Sequence, residues 1–244
     1  MMKNTFVSLF AIAVVFAAVA SGSTAAAQQR PDFSGLWYAP TPDITIALLP
    51  GQEISLTPYG AERYKKLDQA DSPSYKCLPY GPIRSVSSTW PFMIVQTPGV
   101  IAILIEQVDY RVIYMDGRGH PEDILDYPEW MGHSIGRWEG ETLVIDTVGM
   151  RPETWIDTAG LEHSEKLHVI EKLQKTGPDA LKLTVTIEDP VFFTHPFTYE
   201  KTIRRMAKDA RMMPGRCADG EGSLENAQHG YQGPEHKNPP KMPK

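Results

Sequence analysis

The chain has only two cysteines, Cys77 and Cys217. That is too few for a disulfide-built scaffold, and neither lies in a CxxC or CxH pair of the kind that seeds zinc or haem sites. Beyond the N-terminus no apolar run reaches the roughly 20 residues a bilayer span needs. Basic residues are in the minority, 24 Lys and Arg against 30 Asp and Glu, for a net charge of −6. That balance argues against nucleic acid or an anionic membrane as partner. There is no dinucleotide fingerprint, no P-loop, no HExxH helix, no calcium loop and no G-x-S-x-G elbow. Known reaction signatures therefore assign nothing, and function has to be argued from local chemistry.

The first 27 residues read as an export signal. Lys3 supplies the positive end, residues 6–20 the apolar run, and Ala25-Ala26-Ala27 a small-residue cleavage site. Cleavage near Ala27 predicts a periplasmic or secreted protein with no membrane partner afterwards. Residues 28–210 are long enough for one well-packed domain. Residues 211–244 are rich in Met, Lys, Gly and Pro and are expected to be extended and largely disordered. An even cysteine count in an oxidising compartment favours a Cys77–Cys217 disulfide tethering that tail, nominally worth a few kcal/mol. Two free thiols or a metal site are the competing readings.

Within the domain the pattern is mainly β. Residues 32–38 read as a first strand, and the Gly35-Leu36-Trp37 step near the start of the exported chain is similar to that of lipocalin-type barrels. Thr57 as N-cap with Pro58 at the first position predicts one short helix running to about residue 68. Strands follow over 92–97, 100–106, 110–115, 134–138, 142–147, 168–175, 181–188 and 199–204. The clearest is 181–188, where Leu181, Leu183, Val185 and Ile187 alternate with Lys182, Thr184, Thr186 and Glu188, as in a half-buried antiparallel strand. Eight or so such strands in sequence order predict a lipocalin- or calycin-like antiparallel up-and-down barrel, with a two-sheet sandwich as the alternative. A barrel of that size has room for one small ligand.

The chemistry concentrates between residues 109 and 147. Asp116-Gly-Arg-Gly-His-Pro121 follows a strand directly: Asp116 is a candidate base or an orienting partner for His120, and Arg118 a candidate holder of negative charge. Trp130-Met-Gly-His-Ser-Ile-Gly-Arg137 adds His133, the natural proton carrier near neutral pH, with Arg137 beside it. Asp157 and His163, six residues apart in a later loop, complete the candidate acid–base set. For each the competing reading is structural: a bracing Asp–Arg pair, or a satisfied buried histidine. No cofactor is predicted. A divalent metal held by His120, His133, His163 and Asp157 stays open as an alternative.

The chain resembles a broad set of secreted bacterial proteins. The resemblance rests on Asp32-Phe-Ser-Gly-Leu-Trp37, Cys77-Leu-Pro79, the 116–121 segment and Trp130-Met-Gly-His-Ser-Ile-Gly-Arg-Trp-Glu-Gly140. It continues through Thr142-Leu-Val-Ile-Asp-Thr-Val-Gly149, Thr154-Trp-Ile-Asp157, His163-Ser164 and Leu167-His168. It implies an exported protein in which Asp116, Arg118, His120, His133 and His163 belong to one motif set, and it carries no reaction with it. The chain departs from the pattern at Cys217-Ala218-Asp219, where Cys-His-Glu is expected.

Two functions fit. One is an exported enzyme performing cofactor-independent acid–base chemistry (lyase, isomerase or hydrolase) on a small, partly apolar substrate. The other is a carrier or sensor holding a hydrophobic ligand in the barrel, lined by Trp37, Tyr110, Tyr114, Trp130 and Trp155, with structural histidines.

Overall fold

The computed structural model describes residues 30–41, 46–87, 89–106 and 109–213. The expected signal segment, Cys217 and nearly all of the expected tail lie outside the described residues. The strands are β1 (Gly35–Tyr38), β2 (Phe92–Gln96), β3 (Val100–Ile105), β4 (Asp109–Tyr114) and β5 (His133–Glu139). They continue with β6 (Thr142–Val148), β7 (His168–Gly177), β8 (Ala180–Glu188) and β9 (Phe197–Arg205). They close in sequence order into one barrel, β1 meeting β9 at Trp37–Arg205 and Tyr38–Arg204. Closure removes the free edges that an open sheet would leave, and with them the sandwich alternative.

Alternation sets which side chains face inward. Leu181, Leu183, Val185 and Ile187 are all buried, as their spacing predicts, and pack with Phe197 and Tyr199 from β9. Burying each such side chain contributes about 1.5–3 kcal/mol. Side chains of this kind form the core of the barrel among the described residues.

Two features depart from expectation. The barrel is mixed, not wholly antiparallel, because β4 and β5 run parallel and pair only at Ile113–Ser134 and Tyr114–Ile135. A parallel neighbour needs a crossover of a dozen or more residues, and the 115–132 connection supplies it by returning the chain to the end from which β4 started. Second, there are two short helices. The first, α1 (Pro58–Lys65), is capped as predicted by Thr57, whose hydroxyl accepts from Gly60 N at 3.1 Å, but it ends before residue 68. The other, α2 (Gly81–Ser87), falls in a stretch whose Gly and Pro read as loop. Gly81 takes a positive φ of 79° just ahead of Pro82, and every residue of α2 is buried, so packing rather than propensity forms this helix.

Candidate functional site

The outer faces of β5, β6, β7 and β8 bring four titratable side chains together. His133 pairs in register with Val148, Ile135 with Asp146, Asp146 with Ile170, and His168 with Glu188. Since side chains on one face recur every second residue, His133, Asp146, His168 and Glu188 all point out of the barrel on neighbouring strands. The turn into β5 uses Gly132 at φ 61°, where a Cβ would lie 2.7 Å from Met150 Cγ, so the approach to His133 requires glycine.

The β4–β5 connection then lays His120 over this face. His120 Nδ1 is 2.8 Å from His133 Nδ1, and His120 Nε2 is 3.1 Å from Asp146 Oδ1. His168 Nε2 meets the same Asp146 oxygen at 2.9 Å, and its Nδ1 stands 3.7 Å from Glu188 Oε2. The proton arrangement follows from the donors and acceptors. The Asp146 carboxylate only accepts, so His120 Nε2–H donates to it. A neutral His120 then offers Nδ1 as an acceptor, and His133 Nδ1–H must donate. That leaves Nε2 of a neutral His133 as a lone pair. A proton taken at His133 Nε2 turns that nitrogen into a donor, while its Nδ1–H goes on donating to His120 Nδ1 or passes its proton to it. The arrangement is therefore a base in one state and an acid in the other.

His133 also lines a cleft of about 480 Å³ at the β4–β5 seam, walled by Asp109, Tyr110, Val112, Tyr114, Glu129 and Trp130 among others. Burial lowers the His133 pKa, with the neighbouring His120 and Arg118 charges acting in the same direction. Its ring stacks on Tyr114 at 5.3 Å between centroids, and Arg118 lies 4.0 Å over the Tyr114 ring.

Behind this face, inside the barrel, lies a second polar layer. Arg111 Nε donates to Ser134 Oγ at 2.9 Å and its Nη2 to Thr147 Oγ1 at 2.6 Å, while Nη2 also pairs with Glu171. Arg111 and Glu171 are fully buried, and Ser134 and Thr147 are the chain neighbours of His133 and Asp146. Four strands are thus cross-linked directly under the site, including the β4–β5 pair that shares little backbone pairing.

The sequence-predicted residues divide. His120 and His133 meet, with Arg118, Tyr110, Tyr114 and Trp130 beside them. Asp116 does not orient His120. Its carboxylate is bound to Arg118 at 2.9 and 2.5 Å, which holds its pKa down at about 2 and makes it a poor base. Arg137 is exposed and pairs with Glu139 at 2.7 Å. Asp157 is buried and accepts from Gly160 N and Leu161 N at 3.0 and 2.9 Å, a turn-capping role. His163 is buried between Thr154 Oγ1 and Ser164 O, each at 2.8 Å. Trp37 sits in the barrel core, its Nε1–H donating to Phe33 O, and Trp155 is buried, so neither lines the cleft. Trp130 carries Arg151 over its ring at 4.3 Å. The four residues of the metal alternative are not gathered: His163 and Asp157 serve separate hydrogen bonds, and among the described residues no three His, Cys, Asp or Glu side chains converge on one metal position.

Asp146, His168 and Glu188 were not singled out as site residues from the sequence. The signal was present in Asp146, the one acid in the apolar Thr142–Val148 strand, but its meaning depends on register across three strands. Comparison with protein-family models, with curated proteins and with solved structures returns no match, so the chemistry rests on this site alone.

Proposed function

We propose that the protein is an exported enzyme that uses His133 as general base and acid on a small, partly apolar substrate bound in the β4–β5 cleft, without a redox cofactor. The observation that carries this reading is the hydrogen-bonded chain His133–His120–Asp146, whose free end lies at a cleft wall. His133 takes a proton through Nε2. The positive charge that develops is shared through Nδ1 with His120 and compensated by the Asp146 carboxylate, whose Oδ1 is also held by His168 Nε2. Arg118 stacks on Tyr114 beside the cleft with its charge paired to Asp116. The equipment fits a lyase, an isomerase or a hydrolase.

Support for export comes from the sequence: the 1–27 segment, the resemblance to secreted proteins, and the paired cysteine count. A Cys77–Cys217 disulfide belongs to the same proposal. The carrier reading draws less support, because three of its five lining aromatics, Tyr110, Tyr114 and Trp130, line the outer cleft rather than the barrel interior. An untargeted metabolite-turnover screen with wild type and His133→Ala tests the enzyme reading: a compound consumed only by the wild type supports it, and equal turnover by both contradicts it.

A further inference from the structure

The β4–β5 ladder stops where the cleft begins. Its pairs are Ile113–Ser134 and Tyr114–Ile135, with none nearer the start of β4. Peptide groups along a strand turn alternately to one edge and the other. Met115 N donates to Gly99 O across the β3 edge at 2.9 Å, so the peptide groups of Tyr110, Val112 and Tyr114 face the β5 edge. The Ile113–Ser134 pair therefore uses the Val112 carbonyl and the Tyr114 N–H. The next rung would use the Tyr110 carbonyl and the Val112 N–H, with Gly132 as partner. Gly132 leaves it empty. It turns at φ 61°, and its N–H donates to Glu129 O at 3.2 Å. Among the described residues no other backbone group takes its place. The Tyr110 N–H, by contrast, is satisfied by Asp109 Oδ1 at 2.8 Å.

Both sides of this fork are held. β4 pairs with β3 along its whole length, from Val100–Tyr114 to Ile105–Asp109. The facing segment is engaged on its far side, where Glu129 N donates to Gly149 O at 2.9 Å and Glu129 O accepts from Arg151 N at 3.0 Å. Closing the gap would give up one of those sets of bonds. Strand edges that stay empty are guarded by lysine, proline or a bulge. β4 has no lysine and no proline, and its outward side offers Val112 and Tyr110, the latter 65% exposed. An acceptor and a donor two residues apart on one edge match the N–H and carbonyl of a single residue in an extended peptide. The cleft of about 480 Å³ that opens there has room for a few residues and not for a folded partner.

We infer that the substrate is a short, extended peptide that supplies the missing rung. One of its residues takes the ladder position opposite Arg111, donates its N–H to the Tyr110 carbonyl and accepts from the Val112 N–H. The residues on either side turn their side chains outward, beside Tyr110 and Val112. Running parallel to β5, the peptide presents its next peptide bond toward His133, the residue that follows Gly132. This rests on the cleft being the working site, as proposed above, but not on His133 being the proton carrier.

Amide exchange followed by NMR on the full exported chain, alone and with three blocked tripeptides centred on tyrosine, leucine and lysine, tests it. In the free protein the Val112 amide should exchange at least about tenfold faster than that of Arg111, which faces β3. A bound tripeptide should slow Val112 exchange at least about tenfold. Among forms of that tripeptide methylated at one backbone nitrogen each, only the form methylated at the paired residue should bind more weakly, by roughly tenfold. The inference is overturned if Val112 is already protected in the free chain, if no tripeptide protects it, or if all methylated forms bind alike. Running the series on His133→Ala separates the two claims. Protection of Val112 in that variant supports the peptide rung whatever becomes of turnover. Turnover of some other compound, with Val112 unprotected by every tripeptide, sinks the peptide rung and leaves the acid–base reading standing.

Discussion

His120 Nδ1 stands 2.8 Å from His133 Nδ1, and both nitrogens are consumed in that one bond. With Asp146 holding the far side of His120, the order of protons along the chain is dictated. Neutral His133 is expected to carry its hydrogen on Nδ1, and long-range proton–nitrogen correlation spectra at pH 8 should report that tautomer. In Asp146→Asn the restraint is lost, and the spectrum should shift toward a mixture of tautomers. Finding the Nε2–H form in the wild type at pH 8 would contradict the chain.

Two histidines have pKa values lowered by burial, His133 partly and His163 fully. The unfolded chain binds protons at these sites with an ordinary pKa near 6.5, whereas the folded chain resists them. The cost is therefore absent well above pH 6.5 and grows as pH falls from there toward the folded values. Urea midpoints should drop between pH 7.5 and pH 5.5. His163→Gln, which keeps a partner for Thr154, should reduce that slope. An equal slope in wild type and variant would remove His163 from the account.

The buried Arg111–Glu171 pair makes an asymmetric prediction. Arg111→Met leaves Glu171 uncompensated inside the barrel and should cost about 3–5 kcal/mol of stability. Arg111→Met with Glu171→Leu should recover most of that loss, because replacing both partners of a buried pair with apolar groups is often near neutral. Denaturant titrations of the three proteins measure both effects. Equal destabilisation by the single and double variants would show that the pair acts separately, not as one unit.

How far the sequence foretold this depends on the range of each signal. The inward residues of β8 and the Thr57 cap of α1 rest on spacing within a few residues, and both were legible. The α2 helix was not, since its Gly81-Pro82 start reads as a turn and only burial of the whole segment makes it a helix. His120 and His133 were visible because each stands in a loop-to-strand segment dense in polar residues. The acid that orients the imidazole is expected from the loops, at Asp116 or Asp157. Asp146 takes that place only because β6 lies beside β5 in one register, a long-range fact that no local pattern contains. For the same reason, His163 looked like part of the set until its own Thr154 and Ser164 contacts accounted for it. The polar layer of Arg111 and Glu171 was concealed by alternation itself, which marks those positions as inward and therefore as apolar.

The central claim is that His133, set by His120 and Asp146, moves a proton for a molecule bound in the cleft. It is tested most directly by measuring turnover of a compound found in the metabolite screen by four proteins: wild type, His133→Ala, Asp146→Asn and Asp116→Asn. The account predicts a loss of about 10²–10⁴-fold for His133→Ala, at least about tenfold for Asp146→Asn through the lost orientation of His120, and a much smaller change for Asp116→Asn. Wild-type rates in His133→Ala, or a larger loss in Asp116→Asn than in Asp146→Asn, would contradict it.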